Sequence, residues 1–85
     1  MSEFTDFIEL THSIRDKNLL ADFLVGVTTD KERGELVQRV EIIKRLVAGQ
    51  PQQQIARDLG VGIATVTRGS KELAQGHFQA LRKNV

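Results

Sequence analysis

The sequence contains no cysteine. That excludes disulfide stapling and thiolate metal sites, and it fits a reducing compartment. The N-terminus carries no apolar signal core, and no apolar run is long enough to cross a bilayer. A soluble, cytoplasmic protein with no membrane partner is therefore expected. No segment alternates apolar and polar residues as a half-buried strand would. Gly-rich phosphate loops, nucleophile elbows and paired buried carboxylates are also missing, so no enzyme is expected. His12 lies one helical turn from Glu9 and Asp16. That cluster is acidic, solvated and short of a fourth ligand, so it reads as a polar face and no metal is expected. His77 has no acid or nucleophile near it in the sequence.

What is present is a short, helix-patterned chain. Its 85 residues leave room for one helical domain, residues 1–85, and a chain this small is marginal as a monomer. Yet 40% of the residues are hydrophobic, and this surplus of apolar surface suggests a partner subunit that covers it. The net charge of +1 hides an asymmetry. Residues 1–30 hold two basic and six acidic side chains, and residues 31–85 hold ten basic and five acidic ones. The second stretch would attract phosphate and the first would repel it.

Apolar spacing and caps predict five helices and a short sixth. The first runs from an N-cap at Ser2 to about Ile14, with Phe4, Phe7, Ile8 and Ile14 on one stripe. The second carries Leu19, Leu20, Phe23 and Leu24 and fades at Gly26. Thr29 followed by Glu32 is a capping box that opens the third. Its inward residues read as Leu36, Val40, Ile43 and Val47, with Leu46 at the flank. Arg33, Lys44 and Arg45 read as a solvated face. Gly49 stops this helix, and Pro51 suits the first turn of the fourth, which ends near Leu59. The fifth begins near Ile63 and reaches Leu73 or a little further before Gly76 breaks it. A last amphipathic piece covers Phe78 to Lys83.

Residues 52–71, QQQIARDLGVGIATVTRGSK, have the spacing of a helix-turn-helix, a unit placed at about residues 51–74. Such a unit needs apolar residues where two helices cross, a small residue where they touch and a turn residue that tolerates positive φ. Ile55, Leu59, Val61 and Val66 supply the apolar contacts, Ala56 is small, and Gly60 makes the turn. Ile63, Ala64, Thr65 and Thr67 are short side chains at the start of the second helix. That end of a recognition helix enters the major groove, where short side chains permit close approach. Gly69 stands where most such units place another apolar residue. Glycine within a helix costs about 1 kcal/mol relative to alanine. It therefore calls for a reason, either a group lying flat against the backbone or a tight helix crossing.

The run GIATVTRGS, residues 62–70, resembles the signature of the bacterial tryptophan repressors. TDKER, residues 29–33, resembles that family's Thr-Pro-Asp-Glu-Arg helix start, and RVEIIKRLVAG, residues 39–49, resembles its long central helix. The resemblance spans about residues 20–74 and implies an all-α, intertwined homodimer with a helix-turn-helix head. It also implies operator DNA as partner and L-tryptophan, a small amino acid, as a non-catalytic corepressor. The family's half-sites lie about one helical turn, ~34 Å, apart.

Carried over residue by residue, the resemblance implies that Arg39 and Arg68 sandwich the indole, with Arg68 reaching the ligand carboxylate. Thr29 lines the pocket, and Gly69 lies beside the ring. Backbone carbonyls around Gly26 to Thr28, from the other subunit, hold the ammonium. Gln52, Gln53, Gly62, Ile63, Ala64, Thr65 and Thr67 match the positions that face DNA. The chain also departs from the family. Glu72 replaces a serine that contacts the ligand, so a carboxylate there either pairs with the ammonium or repels the carboxylate. Pro51 replaces a serine N-cap. Gln53 and Ala56 replace an arginine and a lysine, which lowers the positive charge of the head. A regulator of the same fold that needs no ligand, or a different one, is the alternative.

Overall fold

Helix caps set the boundaries of this chain. In the computed structural model residues 2–82 are described. They form α1 (Glu3–Ser13), α2 (Lys17–Val27), α3 (Asp30–Val47), α4 (Gln52–Leu59), α5 (Ile63–Ala74) and α6 (Gln79–Arg82). No strand occurs among these residues, so the all-helical expectation holds. The end of the last expected helix, at Lys83, lies outside the described residues. The chain divides into two compact units, Met1–Gly34 and Glu35–Val85.

In the first unit each helix start is closed by a side chain that accepts from otherwise unpaired amides. Ser2 Oγ accepts from the Thr5 amide at 3.1 Å, and Asp16 Oδ1 accepts from the amides of Asn18 and Leu19 at 2.8 and 3.0 Å. The capping box is present in both directions. The Thr29 amide donates to Glu32 Oε1 at 2.8 Å, and the Glu32 amide donates to Thr29 Oγ1 at 3.1 Å. Phe7 and Phe23 bring α1 and α2 together, with ring centroids 5.9 Å apart and planes tilted by 30°. α2 runs through Gly26, one residue past its expected fade, and stops where Thr28 turns extended. Arg33 secures that end. Its Nη1 donates to the carbonyls of Val25 and Thr28 at 3.1 and 2.9 Å, and its other nitrogen pairs with Asp30. The expected solvated Arg33 is thus a C-terminal clamp for α2.

In the second unit the core is the crossing of α3, α4 and α5. Ile42, Ile55 and Val66 are buried there, with Leu46, Ala56, Leu59 and Val61 packed around them. Each fully buried side chain of this size contributes roughly 1.5–3 kcal/mol. Gly60 adopts φ 66°, and the amides of Gly60 and Val61 return to the carbonyls of Arg57 and Ala56. This left-handed residue reverses the chain between α4 and α5, a conformation that a Cβ disfavours. Pro51 sits one position earlier than expected, as the N-cap of α4 with ψ 143°. Arg45 joins the elbow between α3 and α4. It binds Glu41 at 3.1 Å and lies 3.8 Å from Asp58, which also accepts from Gln50 at 2.9 Å.

The inward face of α3 matches its sequence-based reading at Ile43 and differs from it at Leu36 and Val40. Ile42 and Ile43 are buried, whereas Leu36 and Val40 are 49% and 42% exposed. The α4–α5 crossing meets α3 on the Ile42 side, and that side rather than the Leu36–Val40 stripe becomes the core of this unit.

Two outcomes follow from the packing and the caps. Ile55→Ala should lower unfolding free energy by about 2–5 kcal/mol, read by denaturant titration, because the surrounding helices collapse only partly into the space. The Glu32 carboxylate lies below its ordinary value of 4.5, chiefly because the Thr29 amide donates to it and then through the Thr29 side chain. Its stabilisation is therefore complete above the ordinary value and fades as pH falls through the lowered one. The melting-temperature gap between the wild type and Glu32→Ala should shrink as pH is taken from 7 to about 3.

Candidate ligand cleft and nucleic-acid interface

Helical spacing brings one face of α3 opposite one face of α5. Residues 35, 38, 39 and 42 share a face of α3, and residues 64, 65, 68 and 72 share a face of α5. Between them lies a cleft of about 900 Å³, within the size range of small-molecule sites. Ile42, Ile43 and Gly69 supply its apolar part, and Arg39, Arg68, Glu35 and Glu72 supply charge. Neither Arg39 nor Arg68 has a hydrogen-bond or ion-pair partner among the described residues. Two guanidinium groups on opposite walls are thus free to stack on a planar ring or to bind an anion.

Gly69 has its explanation in the packing. A Cβ there would come within 3.1 Å of Ile43 Cδ1 and 3.3 Å of Ile42 Cγ2. The glycine lets α5 approach α3, and it also lines the cleft. The close helix crossing therefore accounts for it by itself.

The C-terminal turn adds a wall that the sequence reading missed. Gly76 at φ 96° turns the chain, and His77 and Phe78 then line the cleft. Phe78 holds φ 65°, an uncommon conformation for a bulky residue. Arg82 anchors α6 by donating to the Leu73 carbonyl. His77 does have an acidic neighbour: its Nε2 lies 3.5 Å from Glu72 Oε2. The five-residue separation gave the sequence reading no signal, because α5 has ended and the turn at Gly76 creates the contact. Glu35 and Gln38 were legible as helical neighbours of Arg39 but were not singled out.

The residues expected at DNA lie around the start of α5. Gly62 is its N-cap, with no capping side chain, and Ile63, Ala64 and Thr65 are exposed. Ala64 and Thr65 also border the cleft. Gln53 is exposed on α4. Thr67 is half-buried, and its hydroxyl donates to Gln52 Oε1 at 3.0 Å. Two expected contact residues are thereby joined to each other across the helix-turn-helix. Thr28, Thr29 and Gly26 belong to the first unit, where Thr29 caps α3 and Thr28 accepts from Arg33. Among the described residues no cluster of acids and histidines has the form of a metal site, and no helix is long and apolar enough to cross a membrane.

Comparison with known proteins adds a second line. The sequence matches the family described as Trp repressor protein over residues 2–83. It is similar to the Trp operon repressor homolog of Vibrio vulnificus (strain YJ016), with 44% identity over 78 residues, covering 84% of this chain and 74% of that protein. The Trp operon repressor homolog of Vibrio campbellii (strain ATCC BAA-1116) is 42% identical over 72 residues, with 84% and 72% covered. That of Vibrio cholerae serotype O1 (strain ATCC 39315 / El Tor Inaba N16961) is 41% identical over 73 residues, with 85% and 71% covered. A helix-turn-helix carrying GIATVTRGS, a match over nearly the whole chain and relatives above 40% identity agree: the chain belongs to the Trp repressor family.

Proposed function

We propose that this repressor binds double-stranded operator DNA as a homodimer, and that L-tryptophan in the cleft between α3 and α5 acts as its corepressor. The observation that carries the proposal is the double use of the first turns of α5. Ala64 and Thr65 border the cleft, and they stand exposed on the helix end that would enter the major groove. A flat ring between Arg39 and Arg68 would set the spacing of α3 and α5, and hence the aim of the reading helix. Stacking contributes about 0.5–2 kcal/mol per face, and a charge-assisted bond from Arg68 to the ligand carboxylate adds to it. A ligand that prefers the DNA-competent form raises DNA affinity by the same factor that DNA raises ligand affinity.

At the DNA, the Thr65 hydroxyl and the Gln52–Thr67 pair suit contacts to base edges and bridging waters, a mode for which this family is known. Gln53 lies beside them on α4, and the amides that follow Gly62 suit a phosphate. On this reading Thr29 lines the ligand site, and backbone carbonyls around Gly26 to Thr28 of the partner subunit hold the ammonium.

Dimerisation is supported by uncovered apolar surface. Among the described residues twelve large apolar side chains are exposed against four that are fully buried. Leu36, Val37 and Val40 form an exposed apolar stretch on α3. Contiguous apolar surface of this kind marks an interaction site. A second reading, a regulator that needs no ligand, draws on Gly69, whose contacts with Ile42 and Ile43 explain the glycine without a ring beside it.

Sedimentation equilibrium at low micromolar concentration should give about twice the 9.5 kDa chain mass. A monodisperse folded monomer would remove the homodimer. Calorimetric titration with L-tryptophan should saturate below millimolar concentration, and operator affinity should rise with ligand. Arg39→Ala should abolish that binding with little loss of stability, since the side chain is exposed and has no partner. Absence of saturation, with equal DNA binding with and without tryptophan, selects the ligand-independent reading.

A further inference from the structure

We infer that Glu72 makes this cleft select its ligand by an ammonium group, so that it accepts zwitterionic or cationic indoles and disfavours indole acids carrying only a carboxylate. The inference rests on the reading of the cleft as a ligand site.

Charge complementarity supports it first. With His77 counted as neutral, the charged lining consists of Arg39 and Arg68 against Glu35 and Glu72, a formal sum of zero. A cleft suited to a monoanion would hold a cationic surplus, whereas a balanced lining matches a ligand that carries both signs.

Geometry supports it independently. Arg68 and Glu72 are four residues apart on α5, so their side chains emerge one above the other, with Cβ atoms about 5–6 Å apart. An α-amino acid carries its carboxylate and ammonium on one carbon, and this cation–anion pair can bracket both. Arg68 has no partner among the described residues, so its guanidinium is available for the carboxylate.

Glu72 has one neighbour of its own in the cleft wall. His77 Nε2 lies 3.5 Å from its Oε2, which leaves Oε1 with no partner among the described residues. The Glu72 side chain is 39% exposed. Its charge is therefore partly withdrawn from water, where attraction to an ammonium and repulsion of a carboxylate both exceed their values at an open surface. An indole acid that satisfies Arg68 brings its carboxylate towards Glu72 with no ammonium to offset the repulsion.

The test is a titration of the full chain with L-tryptophan, tryptamine and indole-3-propionate, for the wild type and Glu72→Gln. The chain contains no tryptophan of its own, so indole fluorescence reports the ligand alone. The wild type should bind L-tryptophan at least about tenfold more tightly than indole-3-propionate, a difference of about 1.4 kcal/mol, and should bind tryptamine detectably. Glu72→Gln should lose about tenfold towards L-tryptophan and tryptamine while indole-3-propionate holds or gains, which erases the order. Should Glu72→Gln fail to fold by circular dichroism, Glu72→Ser is read in its place, with the same expectation. Indole-3-propionate binding as tightly as L-tryptophan to the wild type overturns the inference alone. An unchanged ligand order in the folded variant does the same. Failure of all three indoles to bind the wild type overturns the ligand reading itself, and this inference with it.

Discussion

Ile42, Ile55 and Val66 meet where α3, α4 and α5 cross, and the arrangement of the second unit depends on that contact. Gly69 lies three residues, just under one helical turn, beyond Val66, and its missing Cβ lets α5 settle against Ile43 and Ile42. A Cβ there would require the Ile43 and Ile42 side chains to give way by a few tenths of an ångström. Close packing tolerates little change of volume, so this one small residue keeps α5 close against α3.

The same crossing brings ligand and DNA surfaces to one helix. Residues 64, 65, 68, 69 and 72 share the cleft side of α5, and the exposed first turn carries Ile63, Ala64 and Thr65. On the proposed reading no long relay is required, because a ligand would press on the element that reads DNA. The Gln52–Thr67 hydrogen bond and the Arg45–Asp58–Gln50 contacts tie α4 to α5 and to the end of α3. The hairpin is thereby braced against the end of α3, with the polar ties fixing direction more than adding stability.

Electrostatics in the cleft is local and balanced, although the chain as a whole divides into an acidic first part and a basic second part. The basic excess would act at a distance on phosphate and weaken with salt. The cleft charges would act on a ligand at contact range. The two effects work on separate length scales, so a single net charge describes neither.

Local patterning by itself determined the helices, their caps and the helix-turn-helix. The Ser2 and Asp16 caps, the Thr29–Glu32 box and the Gly60 turn are interactions between residues within a few positions of one another. The crossing residues Ile55, Ala56, Leu59, Val61 and Val66 were legible for the same reason, since one helical hairpin has a fixed internal spacing. Arg39, Arg68 and Glu72 were legible only through likeness to a family, Gly69 also as a glycine inside a helix, and the fold then placed all four around one cleft. Which stripe of α3 is buried, why residue 69 is glycine, and how His77 and Phe78 reach the cleft were decided by tertiary structure alone. Periodicity marks two adjacent apolar stripes on α3 equally well. The choice falls to whichever stripe the α4–α5 hairpin meets, a contact between residues far apart in the chain that no local pattern encodes.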